Sequence, residues 1–173
     1  ELPGWNFPSV VANAKNVWNT YLGRIDIEAD KKQKEIFYSC MYRLFIQPSN
    51  IADADGKYRG ADYAVSVAEN NEYYSTLSLW DTYRAAHPLY TLIVPERVNG
   101  FIRTMIEHSK AAGFLPIWTA WGQDNYCMIG NHATFRGHAA DLSTQGFPLK
   151  HPRSASWVAR AGNKFNLHIC WFD

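Results

Sequence analysis

One apolar stripe, between Asp30 and Gln47, constrains the fold of this sequence more than any other feature. Its members recur at intervals of three and four residues, as they do along one side of a helix: Ile36, Phe37, Cys40, Met41, Leu44 and Phe45. Asp30 is a suitable N-cap, and Pro48 cannot continue the helix. We predict a helix over about 30–47 whose stripe lies in the core.

Three further segments carry a helical period. In 8–22 and in 95–113 a proline suits the first turn and a glycine the C-terminal stop. A third helix is predicted over about 126–140, with Asp124 or Asn125 as its cap. Helical hairpins packed side by side bury such stripes against one another, so the pattern predicts an all-α fold.

The segment 74–88 is predicted to form a helix with a different kind of face. At helical spacing, apolar rings and charged groups share one side: Leu77, Trp80, Tyr83, Arg84 and His87. Asp81, the residue after Trp80, lies next to this face of the helix. This face suits a small polyol, because C–H groups stack on an aromatic ring while hydroxyls need charged partners. The alternative is a core helix in which Trp80 is buried and Asp81 pairs with Arg84.

The connection 48–71 is rich in turn signals. Its run D-A-D-G at 53–56 begins like a calcium loop but lacks the third oxygen ligand and the closing glutamate, so we reject an EF-hand. We predict an Asx-type turn that leads into a short hairpin around Tyr58 and Tyr73. Asp55 and Arg59 are interpreted as a pair that stabilises this turn.

Length and composition exclude several classes of protein. A chain of 173 residues suits one domain, and its net charge of +1 gives no case for nucleic acid. No apolar run approaches the roughly 20 residues that span a bilayer. Three cysteines at distant spacings argue against a zinc ribbon and a disulfide scaffold. An aromatic content of 15% is compatible with carbohydrate binding and with a large core alike.

Three motifs in fixed order resemble glycoside hydrolase family 92, the calcium-dependent exo-acting α-mannosidases. They are D-A-D-G-K-Y-R-G at 53–60, Y-Y-S-T-L-S-L-W-D-T-Y-R at 73–84, and L-P-I-W with N-Y-C-M-I-G-N-H-A within 115–133. The resemblance implies part of an α/α toroid of the six-hairpin type that follows an N-terminal β-sandwich. It further implies inverting hydrolysis of terminal α-mannose from N-glycans or mannans, a calcium cofactor, and a secreted or periplasmic location.

The resemblance also assigns candidate site residues. Trp80 and Asp81 occupy positions that reach the terminal mannose in such enzymes, and Arg84 would orient Asp81 or donate to the sugar. Asn125 and His132 are candidates at the rim of the same mannose site, although His132 also suits a structural role. No catalytic residue or metal ligand is assigned, because the family's acid, base and calcium motifs are absent; Asp124 matches none of them. We therefore expect the isolated chain to be inactive.

The tail departs from this pattern. Residues 1–133 are interpreted as a partial catalytic domain, while glycines and prolines break any helical period in 134–173. We expect a disordered segment or a different reading frame there, with His138, His151 and His168 as solvated side chains rather than metal ligands. The alternative function for the whole chain is a small helical binding domain without catalysis.

Overall fold

The computed structural model describes residues 4–130 and 132–133. The chain divides into two compact units, Glu1–Pro48 and Ser49–Asp173. The tail and its three histidines lie outside the described residues. Each unit is built from short local elements whose boundaries follow from capping residues and turns.

The first unit is a pair of helices, α1 (Phe7–Leu22) and α2 (Lys31–Leu44). The Asp30 carboxylate accepts the Gln33 amide at 2.9 Å, and the Gln33 side chain returns to the Asp30 amide, which satisfies two amides at the start of α2. Between the helices, Trp18 and Tyr42 pack with ring centroids 4.5 Å apart. Both predicted helices are confirmed, although α2 ends three residues earlier than expected.

The stripe of α2 is far less buried than predicted. Met41 is the buried residue of this helix, whereas Ile36 and Cys40 are exposed, and no residue of α1 is buried. The prediction of a core-facing stripe was therefore wrong for most of its members. A pair of helices covers one strip of each partner, and the rest of each apolar face needs further elements to cover it.

The second unit contains three antiparallel strand pairs. β1 (Ser49–Asn50) pairs with β4 (Tyr74–Ser75), β2 (Lys57–Arg59) with β3 (Val65–Val67), and β5 (Thr119–Ala120) with β6 (Gln123–Asp124). A 3₁₀ turn, Glu69–Asn71, precedes β4. Helices remain the main element, but the described chain is not all-α as predicted.

The predicted hairpin is present with a different partner. Tyr58 lies opposite Ser66 in the β2–β3 pair, and Tyr73 instead stacks on the Tyr58 ring at 3.7 Å. Asp55 stabilises the preceding turn, but its partner is Lys57 at 2.5 Å rather than Arg59. This ion pair lowers the pKa of Asp55. The predicted turn is thus confirmed and the predicted pair was wrong.

Three helices complete the second unit: α3 (Leu79–Thr82), α4 (Ala86–Ile93) and α5 (Pro95–Ala112). The 95–113 helix is confirmed, with Gly113 as its C-terminal stop. Its buried side faces the core with these residues: Val98, Gly100, Phe101, Ile102, Thr104, Met105 and His108. No helix within the described residues is long and apolar enough to cross a membrane.

The predicted helix over 74–88 was wrong in its first half. Before Leu79 the chain is not helical: Tyr74–Ser75 is a strand and Thr76 has a φ of 58°, and amides and carbonyls find partners far along the chain. The Leu77 amide donates to the Thr119 hydroxyl at 3.1 Å, and the Thr119 amide donates to the Leu77 carbonyl at 3.2 Å. Leu77 and His87 are buried, whereas Trp80 and Arg84 are exposed, so they do not share one face.

The predicted helix over 126–140 is also wrong where the structure describes it. Tyr126, Met128 and Gly130 all have positive φ angles, of 55°, 93° and 90°. A right-handed helix cannot include this conformation. Of the remaining segment, His132 and Ala133 are helical, and 134–140 lies outside the described residues.

Candidate functional site

An extended strand and a hairpin form the base of the candidate site. Ser78, just before α3, lies opposite Trp118 in an antiparallel bridge. The Asn125 amide donates to the Trp118 carbonyl at 2.9 Å, which places Asn125 next to the same pair of strands. Two predicted site segments, 80–84 and 125–132, are therefore joined through backbone hydrogen bonds.

The β5–β6 hairpin is fixed at its turn by Gly122. The Gly122 amide donates to the Ser75 hydroxyl at 3.2 Å, and a Cβ at this position would collide with the Arg59 carbonyl oxygen. Its φ of 82° also favours glycine. The Gln123 side chain donates to the Gly60 carbonyl at 2.8 Å. The turn is thus held against the strand before α3 and against the 59–60 backbone.

Three aromatic rings and a guanidinium group meet next to the Ser78–Trp118 bridge. The rings of Trp80 and His132 lie edge to face, with centroids 5.3 Å apart. His132 also stacks on Tyr83, at 4.1 Å and 17° between planes. Arg84 Nε donates to the Tyr83 hydroxyl at 2.6 Å. We call Trp80, Tyr83, Arg84 and His132 the aromatic cluster. It brings together three of the predicted site residues.

Asp81 lies at the edge of the aromatic cluster, on the same short helix as Trp80. Its carboxylate is exposed and accepts a hydrogen bond from the Ser78 hydroxyl. Among the described residues Asp81 forms no ion pair with Arg84, which binds Tyr83 instead. The predicted alternative of a buried Trp80 with an Asp81–Arg84 pair is therefore wrong, since 41% of Trp80 is exposed.

The protonation of His132 follows from its place in the aromatic cluster. Partial burial lowers its pKa, a backbone hydrogen bond at Ile129 opposes the shift, and the Arg84 charge adds to it. The neutral imidazole is therefore favoured near pH 7. A neutral ring stacks on Tyr83 without a second positive charge beside Arg84.

Asp124 has a structural role that accounts for its burial. One carboxylate oxygen accepts the Ile117 amide and the other accepts the Tyr126 amide, each at 2.7 Å. Both carboxylate oxygens are thus engaged by backbone amides, and the side chain links the two ends of the 117–126 segment.

Glu72 is a positioning residue that the sequence analysis missed. Its carboxylate accepts hydrogen bonds from Arg97 at 2.7 Å and from the Tyr74 hydroxyl at 3.2 Å, and it lies directly over Gly100 of α5. Burial and the nearby Glu72 charge raise the pKa of Tyr74 to about 12. These contacts fix the strand before Ser78 on α5. The partners are distant in sequence, so the one local signal was a glycine inside a helix.

Ser78 was given no site role in the sequence analysis, and Tyr83 appeared there only as a member of the mixed face of 74–88. The Ser78 hydroxyl orients Asp81, and the Tyr83 ring and hydroxyl hold His132 and Arg84. Both residues belong to the S-L-W-D-T-Y-R motif at 78–84, which was the available signal. A motif identifies such residues, but only the fold identifies their partners.

The resemblance implies a calcium ion, which is bound by several oxygen ligands at once. Within residues 4–130 and 132–133, no group of three or more His, Cys, Asp or Glu side chains could hold a metal ion. The acidic side chains of the site, Asp81 and Asp124, are engaged by Ser78 and by backbone amides. The acidic side chains of the described residues therefore do not form a calcium site by themselves.

Comparison with known proteins identifies relatives of this fold. The catalytic domain of glycosyl hydrolase family 92 matches residues 1–152. A family GH92 α-mannosidase from Bacteroides thetaiotaomicron, solved in complex with mannoimidazole, has 32% identity and a TM-score of 0.85, over 93% of this chain and 21% of that chain. A family GH92 inverting mannosidase from Bacteroides thetaiotaomicron VPI-5482 has 29% identity and a TM-score of 0.78, over 93% and 21%. A search of curated proteins found no match.

These matches cover almost all of this chain and about a fifth of the solved structures. Motifs, fold and family match coincide on the segment that holds the aromatic cluster. The chain belongs to glycosyl hydrolase family 92.

Proposed function

We propose that this chain forms part of the site that binds the terminal mannose in a family 92 α-mannosidase. The observation that supports the proposal is the aromatic cluster, with exposed Trp80 beside the exposed Asp81 carboxylate. An aromatic face next to oriented charged groups matches the chemistry of a sugar ring. The family's solved members include an α-mannosidase bound to mannoimidazole, which points to the same sugar.

Each candidate residue has a distinct role in this proposal. Trp80 stacks on the C–H face of the ring, and Asp81, oriented by Ser78, accepts hydrogen bonds from hydroxyls. Arg84, held by Tyr83, donates to a third hydroxyl. Asn125 and His132 border the same rim.

The hydrolytic groups are proposed to lie elsewhere in the polypeptide. Inversion, as named for one relative, needs a carboxylic acid and a second carboxylate that activates water. Asp124 and Glu72 are engaged in structural hydrogen bonds, so neither is assigned these tasks. Calcium ligands and the rest of an α/α toroid are proposed to lie in those other parts of the polypeptide. A secreted or periplasmic location stays a prediction.

Mannose binding tests the proposal directly. In a titration followed by calorimetry, Trp80→Ala removes the stacking face, and Asp81→Asn removes a charged hydrogen bond that contributes about 1.5–3 kcal/mol. Each variant is expected to weaken mannose binding by about tenfold or more. Glucose, which differs from mannose only at C2, serves as the comparison ligand. The isolated chain is expected to release no mannose from α-mannosides.

Two matched variants control for general damage. Asp53→Asn removes an exposed carboxylate of the 53–56 turn, and Trp5→Ala removes a fully exposed indole of the first unit. Both should leave mannose affinity unchanged. A folded wild-type chain that binds no mannose would contradict the proposal. Mannose release from α-mannosides by the isolated chain would contradict the proposal that the hydrolytic groups lie elsewhere in the polypeptide.

A further inference from the structure

His132 links the other members of the aromatic cluster, although it is distant from them in sequence. Its ring lies edge to face with Trp80, at 5.3 Å between centroids, and stacks on Tyr83 at 4.1 Å. Trp80 and Tyr83 are three residues apart, so they face the same side of the helical turn at α3. One imidazole therefore contacts both an indole and a phenol of the proposed mannose site.

The backbone of Gly130 adds a third close contact to this imidazole. A Cβ on Gly130 would lie 2.7 Å from His132 Nε2, so the ring can approach this closely only because the residue has no side chain. Gly130 also has a φ of 90°, a conformation that other residues rarely adopt. The ring is confined by two aromatic neighbours and by backbone, which leaves it little freedom to turn.

The environment of the ring favours its neutral form. Both ring nitrogens of His132 are shielded from solvent, and neither has a well-formed hydrogen bond within the described residues, although the Ile129 backbone favours the proton slightly. Tyr83 is the titratable group stacked on the ring, and the nearby charge is the Arg84 guanidinium. The Asp81 carboxylate, on the same short helix as Trp80, is engaged by a serine hydroxyl. A proton on the ring would add a second positive charge beside Arg84.

Tyr83 connects the position of His132 to that of Arg84. The Tyr83 hydroxyl accepts a hydrogen bond from Arg84 Nε at 2.6 Å, and Arg84 Cζ lies 5.3 Å from the centre of the same ring. A phenol ring that is stacked on a fixed neighbour keeps its hydroxyl in one place, and the guanidinium is held through that hydroxyl. The stack thus orients the group that is proposed to donate to a mannose hydroxyl.

We infer that His132 is a positioning residue of the mannose site, whose uncharged imidazole holds Trp80 and Tyr83 in place without contacting the sugar. The inference rests on the proposed mannose site and adds its regulation by pH. A proton on the imidazole repels Arg84, disturbs the stack on Tyr83 and weakens sugar binding. Burial lowers the pKa of His132 below the usual 6.5, so mannose affinity is constant above that pH and falls only in more acidic solution.

The first test compares two substitutions of His132 in the 173-residue chain. His132→Phe keeps a flat ring for both aromatic contacts but cannot bind a proton, whereas His132→Ala removes the ring. Calorimetry with mannose at pH 7.5 should show affinity within about twofold of the wild type for His132→Phe. His132→Ala should bind mannose about tenfold more weakly, because two aromatic contacts are lost.

The second test follows mannose affinity from pH 7.5 to pH 5. The wild type is expected to lose affinity by up to about tenfold, whereas the affinity of His132→Phe stays constant. Both proteins retain His108, so a loss that they share is not assigned to His132. Because linkage is reciprocal, saturating mannose should lower the pKa of His132 in an NMR titration of the wild type. The His132 resonance is identified by its absence from the spectra of both variants.

Each alternative outcome contradicts a definite part of the inference. Wild-type affinity in His132→Ala at pH 7.5 would show that the ring positions nothing. Equal weakening in both variants, with thermal stability retained, would make the imidazole a direct sugar ligand. The same pH dependence in the wild type and His132→Phe, or a His132 pKa that mannose leaves unchanged, would refute the regulation by pH. A wild-type chain that binds no mannose at pH 7.5 would refute the mannose site itself, and the inference with it.

Discussion

The two units of this chain use similar sequence patterns with different results. In the second unit, Leu77 and Leu79 are 0% exposed, and α5 buries one continuous side. In the first unit, α1 has no buried residue, and Ile36 in the stripe of α2 is 56% exposed. The second unit therefore contains a buried core, although some of its apolar side chains are exposed, whereas in the helical pair Met41 is the buried residue of α2.

The difference teaches what an apolar stripe encodes. A stripe specifies that a face must be covered, but not which part of the polypeptide covers it. The second unit folds strands and helices from 74–124 around α5, so its partners lie within the unit. The helical pair has one shared strip, formed by contacts such as Trp18 with Tyr42. We expect the remaining apolar faces of the pair to self-associate when they are not covered.

A pair of alanine substitutions should give the largest contrast between the units. Leu77→Ala creates a cavity at a fully buried position and should lower the free energy of unfolding by about 3 kcal/mol. Ile36→Ala removes a side chain that is already half in solvent and should cost less than about 1 kcal/mol. Urea denaturation followed by circular dichroism measures both. Equal losses would mean that the helical pair is as well packed as the second unit.

A smaller contrast concerns pH and His108 of the second unit. The side chain is buried, and neither ring nitrogen has a hydrogen-bond partner among the described residues. Burial lowers its pKa below the usual 6.5, although the Asp124 charge opposes the shift. Above about pH 6.5 His108 is neutral in both the folded and the unfolded state. As the pH falls below this value, the unfolded state binds the proton first. The free energy of unfolding therefore decreases by up to about 1.4 kcal/mol for each unit by which the pH falls.

Replacing the histidine separates this effect from other titrations. His108→Leu should keep the second unit folded and flatten the loss of stability between pH 6.5 and 5, measured by thermal unfolding at a series of pH values. A slope that stays the same in His108→Leu would assign the pH dependence to other groups. The helical pair carries no histidine and should show little change over this range.

The smallest expected effect lies at the start of α2. Asp30→Ala removes the reciprocal cap with Gln33 and should lower the stability of the helical pair by about 1 kcal/mol. Lys31→Ala removes only an exposed side chain, 3.8 Å from Glu35, and should cost less than about 0.5 kcal/mol. Amide hydrogen exchange in α2 reports both. A second unit that is destabilised equally by Asp30→Ala would contradict the division into independent units.

The sequence predicts the helices whose signals are local. The helices 8–22, 30–47 and 95–113 are all present, because proline, aspartate and glycine sit at their ends and one apolar period runs between them. The motif at 78–84 likewise contains three of the four residues of the aromatic cluster, and the motif at 125–133 contains the fourth, His132. In these cases a few neighbouring residues suffice to decide the conformation.

The failures occur where distant residues supply the hydrogen bonds. Tyr73, Tyr74, Ser75 and Leu77 are all buried, so this segment shows no strand-like alternation that the sequence could reveal. The partner that stabilises the extended form, Thr119, lies 42 residues away from Leu77. Glu72 and Arg97 are separated by 25 residues. No local propensity encodes such pairings, so a helix was the best local solution.

The carboxylate of Asp124 has a mechanical consequence for the site. Its two oxygens hold the amides of Ile117 and Tyr126, so one side chain closes 117–126 into a loop whose ends cannot separate unless a hydrogen bond breaks. Asn125 therefore lies in a loop that is closed both by the β5–β6 backbone pairs and by one buried side chain, so its position depends on Asp124 as well as on its own hydrogen bond to Trp118.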